Sequence, residues 1–189
     1  MSTRNESYLV GLVGDGITES LTPPMHEREA DHHGLRYLYR PVDLAVIGRP
    51  GEDVGQLLSA GRDLGFNAFN ITHPCKQLVL EHLDEIDPQA EAIQAVNTVL
   101  LQDGRFIGHN TDCSGFTRGF EKGLDGVAPG RVVQFGSGGA GSAVAEALLG
   151  LGAVQLSLVD MDVARAAERA AELAARYPQA TVELSLIHI

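Results

Sequence analysis

Tryptophan is absent from the 189-residue chain, and cysteine occurs twice, at Cys75 and Cys113 without CxxC spacing. That usage fits free thiols in a reducing compartment rather than a disulfide framework. No apolar run approaches the roughly 18 residues of a membrane-spanning helix, and the polar start Met1 to Ser7 lacks the basic and apolar parts of a secretory signal. A cytoplasmic location is therefore expected. Positive charge is scarce: 14 Lys and Arg stand against 25 Asp and Glu, a net charge of −11, which argues against nucleic acid or an anionic membrane as partner. What the chain has in quantity is apolar residues, 44%, and 22 glycines. The first allows a packed core, the second many tight turns, and the length suits one or two domains.

Apolar periodicity predicts an alternation of strands and helices. Tyr8 to Gly14 and Leu35 to Val42 read as strands, with a helix between them after Thr22-Pro23-Pro24. Val54 to Leu64 reads as a helix, Phe66 to Thr72 as extended, and Pro74 to about Leu83 as a further helix. Asp103-Gly104 is a hairpin dipeptide between the strands Asn97 to Leu101 and Arg105 to Gly108. A helix over Asp112 to Leu124 is followed by the Gly/Pro-rich break Asp125 to Gly130, where a domain boundary is expected. Beyond it come strand Arg131 to Phe135, helix Ala140 to Leu151, strand Val154 to Val159, helix Val163 to Tyr177 and a third strand starting near Ala180. This is a βαβα run of α/β class.

Gly136-Ser137-Gly138-Gly139-Ala140-Gly141 matches G-x-G-x-x-G between a predicted strand and a predicted helix. Its first glycine permits the tight turn, the second lets a pyrophosphate approach the backbone, and the third allows the helix to pack on the strand. No Gly-Lys-Ser/Thr follows, so it is not a P-loop. Asp160 follows the next strand, 19 residues after Gly141, where a carboxylate accepts hydrogen bonds from an adenosine ribose. Asp160 and Asp162 together would repel a 2′-phosphate, so NAD is preferred to NADP, with Arg165 one helical turn on as a counterweight.

Polar residues in the first half fall where strands end, the usual ligand position in open α/β sheets. Ser20 and Thr22 stand at a helix start, with Thr22 the expected N-cap and Pro23 the first helical residue. Such a terminus can hold a carboxylate through hydroxyls, unpaired N–H groups and the helix dipole. Lys76 follows a strand end, and Asn97 and Asp112 add an amide and a carboxylate at later ones. His26-Glu27 opens an H-E-x-x-H pattern that Ala30 breaks, and the other histidines lack metal-ligand spacing, so no metal is expected.

Taken together, Ser20-x-Thr22-Pro23, Asn70-x-Thr72-x-Pro74-x-Lys76, Ala95-Val-Asn97-Thr98, Gly108-x-Asn110-Thr-Asp112 and the Gly136 to Gly141 loop resemble the shikimate dehydrogenase family, including its quinate/shikimate branch. The resemblance implies an N-terminal α/β substrate-binding domain over residues 1–115, a linker helix and loop over 116–130, and the first half of a Rossmann NAD(P)-binding domain over 131–189. It implies that Ser20 and Thr22 bind the substrate carboxylate, that Asn70, Thr72, Asn97 and Asp112 bind ring hydroxyls, and that Lys76 and Asp112 are the catalytic pair. The implied reaction is hydride transfer between NAD or NADP and a cyclitol acid: 3-dehydroshikimate and shikimate, or quinate. Thr22, Thr72-His-Pro-Cys-Lys76 and Asp160-Met-Asp162 depart from the biosynthetic NADP enzymes toward the NAD-using quinate/shikimate branch. A member that binds the cyclitol acid or nucleotide without turning it over is the alternative of a different class, and retention of Lys76 and Asp112 favours the enzyme. A monomer or homodimer is expected. The family continues beyond the third Rossmann strand, and Leu184 to Ile189 resembles the translation of a transposon-derived sequencing adapter, so a truncated chain with a foreign end is expected.

Overall fold

The computed structural model describes residues 7–185. Within them the chain forms two compact units, one comprising residues up to Ala92 with Val96–His109 and the other Ile93–Ala95 with the residues from Asn110 onward.

The first unit is built on a mixed six-stranded sheet. Its centre is β1 (Ser7–Gly14), whose last residues are buried because they are apolar on both faces. β2 (Arg36–Asp43) and β3 (Ala68–Ile71) flank β1 in parallel, and the order runs β2-β1-β3-β5-β6-β4 with β5 at Thr98–Gln102, β6 at Arg105–His109 and β4 at Glu85–Ile86. β5 pairs antiparallel with both β3 and β6. The β5–β6 hairpin turns through Asp103 and Gly104 at φ of 52° and 78°, the pair of positive values that a type I′ turn requires. Helices α1 (Thr22–His32), α2 (Leu44–Ile47), α3 (Val54–Asp63), α4 (Cys75–Leu78) and α5 (Pro88–Ile93) fill the connections. Leu44, Leu58, Phe69, Ile71 and Val79 form the core, each contributing about 1.5–3 kcal/mol by its burial. Gly61 of α3 stands directly over Phe69, where a Cβ would fall well inside van der Waals contact with the ring.

Two features differ from expectation. The helix predicted from Pro74 to about Leu83 is a single α-turn, α4, continued by a 3-10 turn over Val79–His82. Val79 is held in the core while Leu83 is already extended and leads into β4, so the segment has no room for a straight helix. β4 and α5 have no counterpart in the sequence pattern. β4 is two residues long, and α5 begins at a proline and spans six residues, too short for a periodicity to show. The edge strand β2 is protected: the Tyr39 amide donates to the Glu27 carboxylate of α1 at 3.0 Å, and Pro41, two residues on, has no N–H to offer another strand.

The second unit contains α6 (Asp112–Gly123), β7 (Arg131–Phe135), α7 (Gly139–Gly150), β8 (Gln155–Val159), α8 (Val163–Arg176) and β9 (Thr181–Leu184). Its three strands are parallel in the order β7-β8-β9, the Rossmann-like arrangement that the βαβα pattern predicts. Leu148, Leu149, Leu156, Leu158 and Leu173 are its core, with Phe116 and Phe120 of α6 packed against them. α6 therefore belongs with this unit as a whole. Leu184 closes β9 beside Leu158, while residues 186–189 of the adapter-like segment lie outside the described residues. Among the described residues no helix is long and apolar enough to cross a membrane.

Candidate active site

In the first unit the predicted polar residues gather at one end of the sheet. Ser20 and Thr22 follow β1, Asn70 and Thr72 lie at the end of β3, Lys76 is the second residue of α4, and Asn97 precedes β5, whose first residue Thr98 pairs with Asn70. Backbone bonds lock these segments to one another. The Thr72 amide donates to Val13 O at 2.9 Å, Ile71 N to Asn97 O at 2.8 Å, and Val96 N to Lys76 O at 2.9 Å. Lys76 is half-buried. The preceding His73–Pro74 peptide is cis.

The start of α1 differs from the predicted anion site. Leu21, not Thr22, is the N-cap and makes no side-chain cap bond; Thr22 is the first helical residue and Pro23 the second. Ser20 Oγ accepts from Thr22 N at 3.2 Å and donates to Thr22 Oγ1 at 3.1 Å. Pro23 and Pro24 have no N–H, and Met25 N is already bonded to Leu21 O at 3.2 Å. The first turn thus has no unpaired N–H for a carboxylate, and what it presents is the two hydroxyls and the helix dipole.

Sequence reasoning missed Asp43, which holds this loop. The carboxylate is buried at the end of β2, caps α2 at Ala45 N (3.1 Å), and accepts from Gly16 N at 3.0 Å, Thr18 N at 2.8 Å and Thr18 Oγ1 at 2.6 Å. The Thr18 hydroxyl foremost, with the three amides, holds its carboxyl below the usual range against the opposing effect of burial. A strand-terminal Asp before a short helix is a readable cap signal, but its reach back to residues 16–18 is tertiary. Two further residues had no role assigned from the sequence. Tyr39 Oη donates to Asn70 Oδ1 at 2.6 Å, and Thr98 Oγ1 accepts from Asn70 Nδ2 at 3.1 Å. Cys75 is fully buried, and burial, with Glu52 and Asp15 adding, pushes its thiol up to about 11, so it is no reactive thiolate at neutral pH.

In the second unit the glycine loop forms a backbone cradle. Gly136 leaves β7 at φ 95°, in the region that favours glycine. Gly138 is the N-cap of α7 and supplies no side chain. A Cβ on Gly141 would collide with the Gly136 carbonyl, whereas one on Gly138 would meet nothing within 4 Å. The loop is therefore closed on its inner side and open on its outer side, at a helix N-terminus, which suits an anion. Buried Gln134, another residue the sequence did not reveal, ties the loop by donating from Nε2 to Gly136 O and Gly141 O, both at 2.8 Å.

Asp160 closes the far side of the cradle. Its Oδ2 accepts from Ser137 N and Ser137 Oγ, both at 2.7 Å, and its Oδ1 from Asp162 N at 3.0 Å and Arg165 Nη2 at 2.8 Å. Burial works to raise its carboxyl, but the Asp162 and Ser137 amides, the Ser137 hydroxyl and the Arg165 guanidinium hold it well below the carboxylate range. Arg165 also reaches Asp162 Oδ2 at 3.5 Å. Asp112 is the first residue of α6 and its amide donates to Asn110 Oδ1 at 3.0 Å, with Asn110 Nδ2 bonded in turn to Ala95 O at 2.9 Å. Asp112 thus lies in the second unit, whereas Lys76 lies in the first.

Known proteins are similar to this chain in sequence and fold. Residues 12–99 match the shikimate dehydrogenase substrate binding domain. A shikimate dehydrogenase (NADP(+)) of Pseudarthrobacter chlorophenolicus is 65% identical over 96% of the chain and 62% of its own length. A quinate/shikimate dehydrogenase (NAD(+)) of Corynebacterium efficiens is 48% identical over 86% of the chain and 57% of its own length. Among solved structures, quinate dehydrogenase from Corynebacterium glutamicum in complex with NAD superposes with a TM-score of 0.85 at 43% identity, covering 94% of this chain and 64% of that one. The chain spans about three-fifths of the length of these relatives. The first unit thus holds the match to the shikimate dehydrogenase substrate binding domain, and the chain as a whole is similar to shikimate and quinate/shikimate dehydrogenases over the part of their length that it spans.

Proposed function

We propose that the chain carries the cyclitol-acid site and the dinucleotide cradle of an NAD(P)-dependent shikimate dehydrogenase, acting reversibly between 3-dehydroshikimate and shikimate. The observation that carries this reading is the convergence of Ser20, Thr22, Asn70, Thr72, Lys76 and Asn97 on one end of the first sheet. In this reading the Ser20 and Thr22 hydroxyls take the substrate carboxylate, and Asn70, Thr72, Asn97 and Asp112 take the ring hydroxyls.

The Gly136–Gly141 cradle fits a pyrophosphate, since Gly138 leaves the outer side of the loop clear and the α7 terminus favours negative charge. NAD(P), when bound there, supplies or accepts the hydride. A ketone that becomes an alcohol must gain a proton at oxygen, and the Lys76 ammonium is the group assigned to deliver it. The same amine takes that proton back when the alcohol is oxidised, and Asp112 is the second member of the assigned pair. NAD is the preferred dinucleotide: Asp160 and Asp162 would repel a 2′-phosphate, and Arg165 is engaged by both carboxylates. That same acidic pair, together with the likeness to a quinate dehydrogenase bound to NAD, supports a second reading, NAD-dependent oxidation of quinate to 3-dehydroquinate.

The test is titration of the protein with shikimate and with quinate, and near-ultraviolet absorbance during incubation of each with NAD or NADP. Cofactor reduction that Lys76→Ala or Asp112→Ala lowers by about 10²–10⁴-fold, with NAD affinity retained, is the expected result. Near-native turnover in those variants overturns the assignment of the pair. Binding without turnover under every combination identifies a non-catalytic ligand-binding member.

A further inference from the structure

The Asn70 carboxamide is held on two sides. Nδ2 donates to Asn97 O at 3.3 Å and to Thr98 Oγ1 at 3.1 Å, and Oδ1 accepts from Tyr39 Oη at 2.6 Å. The orientation is dictated by its neighbours. Asn97 O is a carbonyl and can only accept. Thr98 Oγ1 directs its single proton to Asn97 Oδ1 at 3.0 Å, so toward Asn70 it too can only accept. An amide turned the other way would set oxygen against two acceptors. Both N–H groups of Asn70 are therefore committed, and Tyr39 takes one lone pair of Oδ1; an sp² oxygen has a second.

We propose that Tyr39 is a positioning residue that fixes Asn70 with Oδ1 as an acceptor, so that Asn70 receives a hydrogen bond from a ring hydroxyl of the cyclitol acid and donates none to it. The inference rests on the functional reading above, in which Asn70 meets that ring. Tyr39 is only 2% exposed and stacks on His26, ring centroids 4.8 Å apart, so it acts through Asn70 and not by touching the ligand. The phenol suits this task because it is rigid and holds its proton: burial, with Tyr37 adding, raises its ionisation above the ordinary tyrosine range.

Tyr39→Phe removes one oxygen and keeps the ring on His26. In the wild-type protein the Asn70 side-chain amide should give two distinct, slowly exchanging proton signals by NMR. In Tyr39→Phe these should exchange faster, and shikimate should bind about tenfold more weakly, the cost of one hydrogen bond to an ordered acceptor, with NAD affinity unchanged. Shikimate analogues that each lack one ring hydroxyl sharpen the test. For the analogue missing the hydroxyl that meets Asn70, wild type and Tyr39→Phe should bind equally; for the others the tenfold difference should persist. An unchanged amide signal and an unchanged shikimate affinity overturn the proposal, as does a loss of equal size on every analogue, which would mark Tyr39 as merely structural. Should Tyr39→Phe fold poorly, rapid exchange of the Asn70 amide in the wild-type protein overturns it equally. A wild-type protein that binds no cyclitol acid overturns the functional reading, and the acceptor role with it. The amide signals would then still show whether Tyr39 fixes Asn70.

Discussion

The two units hold their polar groups by different means. In the first, side chain holds side chain: Asp43 gathers the loop after β1, and Tyr39, Asn70, Thr98 and Asn97 form one connected set across β2, β3 and β5. In the second, side chain holds backbone: Gln134 and Asp160 tie the bare glycine loop in place. Under the proposed function, the contrast follows from the ligands. A polyhydroxylated ring needs donors and acceptors assigned one by one, which demands fixed side chains. A pyrophosphate needs many equivalent N–H groups at a helix terminus, which demands the absence of side chains.

The comparison predicts that a methyl group does most harm where the backbone itself is the wall. Gly141→Ala should be the most damaging single substitution, because its Cβ would collide with the Gly136 carbonyl and carbon, and a peptide cannot step aside as a side chain can. A loss of about 3 kcal/mol in the second unit and of most NAD affinity is expected, read by urea unfolding and by titration. Gly61→Ala is the counterpart in the first unit. There the obstacle is the Phe69 ring, stacked on Phe66 with centroids 5.1 Å apart, and rings can tilt. About 2 kcal/mol with NAD affinity unchanged is the expected outcome. Equal costs at the two positions would break the distinction.

The same distinction explains what the sequence made legible. The Gly136–Gly141 loop could be read because the absence of a side chain is itself written in the sequence, between a strand and a helix whose periodicities change from two to 3.6. Asp160 could be read because it directly follows the next strand. Tyr39, Thr98 and Asp43 could not be given roles, since their partners lie 31, 28 and 25–27 residues away and meet only when β1 pairs with β2 and β3, and β3 with β5. The predicted N-cap at Thr22 missed by one residue, because a local rule favours Thr over Leu while the Ser20 hydroxyl answers the first amide from outside the helix. The short pieces β4 and α5 left no periodic signal.

Acid should expose a smaller difference. Asp43 and Asp160 both have carboxyls held below the usual range. A group with a depressed folded pKa contributes its stabilisation above the unfolded value of about 3.9 and loses it as pH falls toward the folded one. Both units should therefore weaken below about pH 4, and each substitution should flatten the acid limb for one unit only. Asp43→Asn should weaken shikimate binding several-fold at neutral pH and leave NAD affinity unchanged; Asp160→Asn should do the reverse. Urea midpoints at pH 7 and pH 3, taken with the two titrations, separate these outcomes. Crossed effects would show that the sites are not supported independently.

The smallest expected effect is a gain. Gly115 lies in α6, where a Cβ would meet nothing within 4 Å, and its φ is not in the left-handed region. Nothing in its surroundings requires glycine, whereas an unrestrained glycine in a helix weakens it through the entropy of the unfolded chain. Gly115→Ala should stabilise the second unit by about 0.5–1 kcal/mol, visible as a higher urea midpoint with an unchanged slope. A loss in its place would mean that a neighbour uses the bare α6 backbone there, and that glycine in this unit marks contact surfaces beyond the cradle. Because Gly141 and Gly115 are both helical glycines of one unit, opposite signs at the two would isolate steric demand as the reason the cradle is built from glycine.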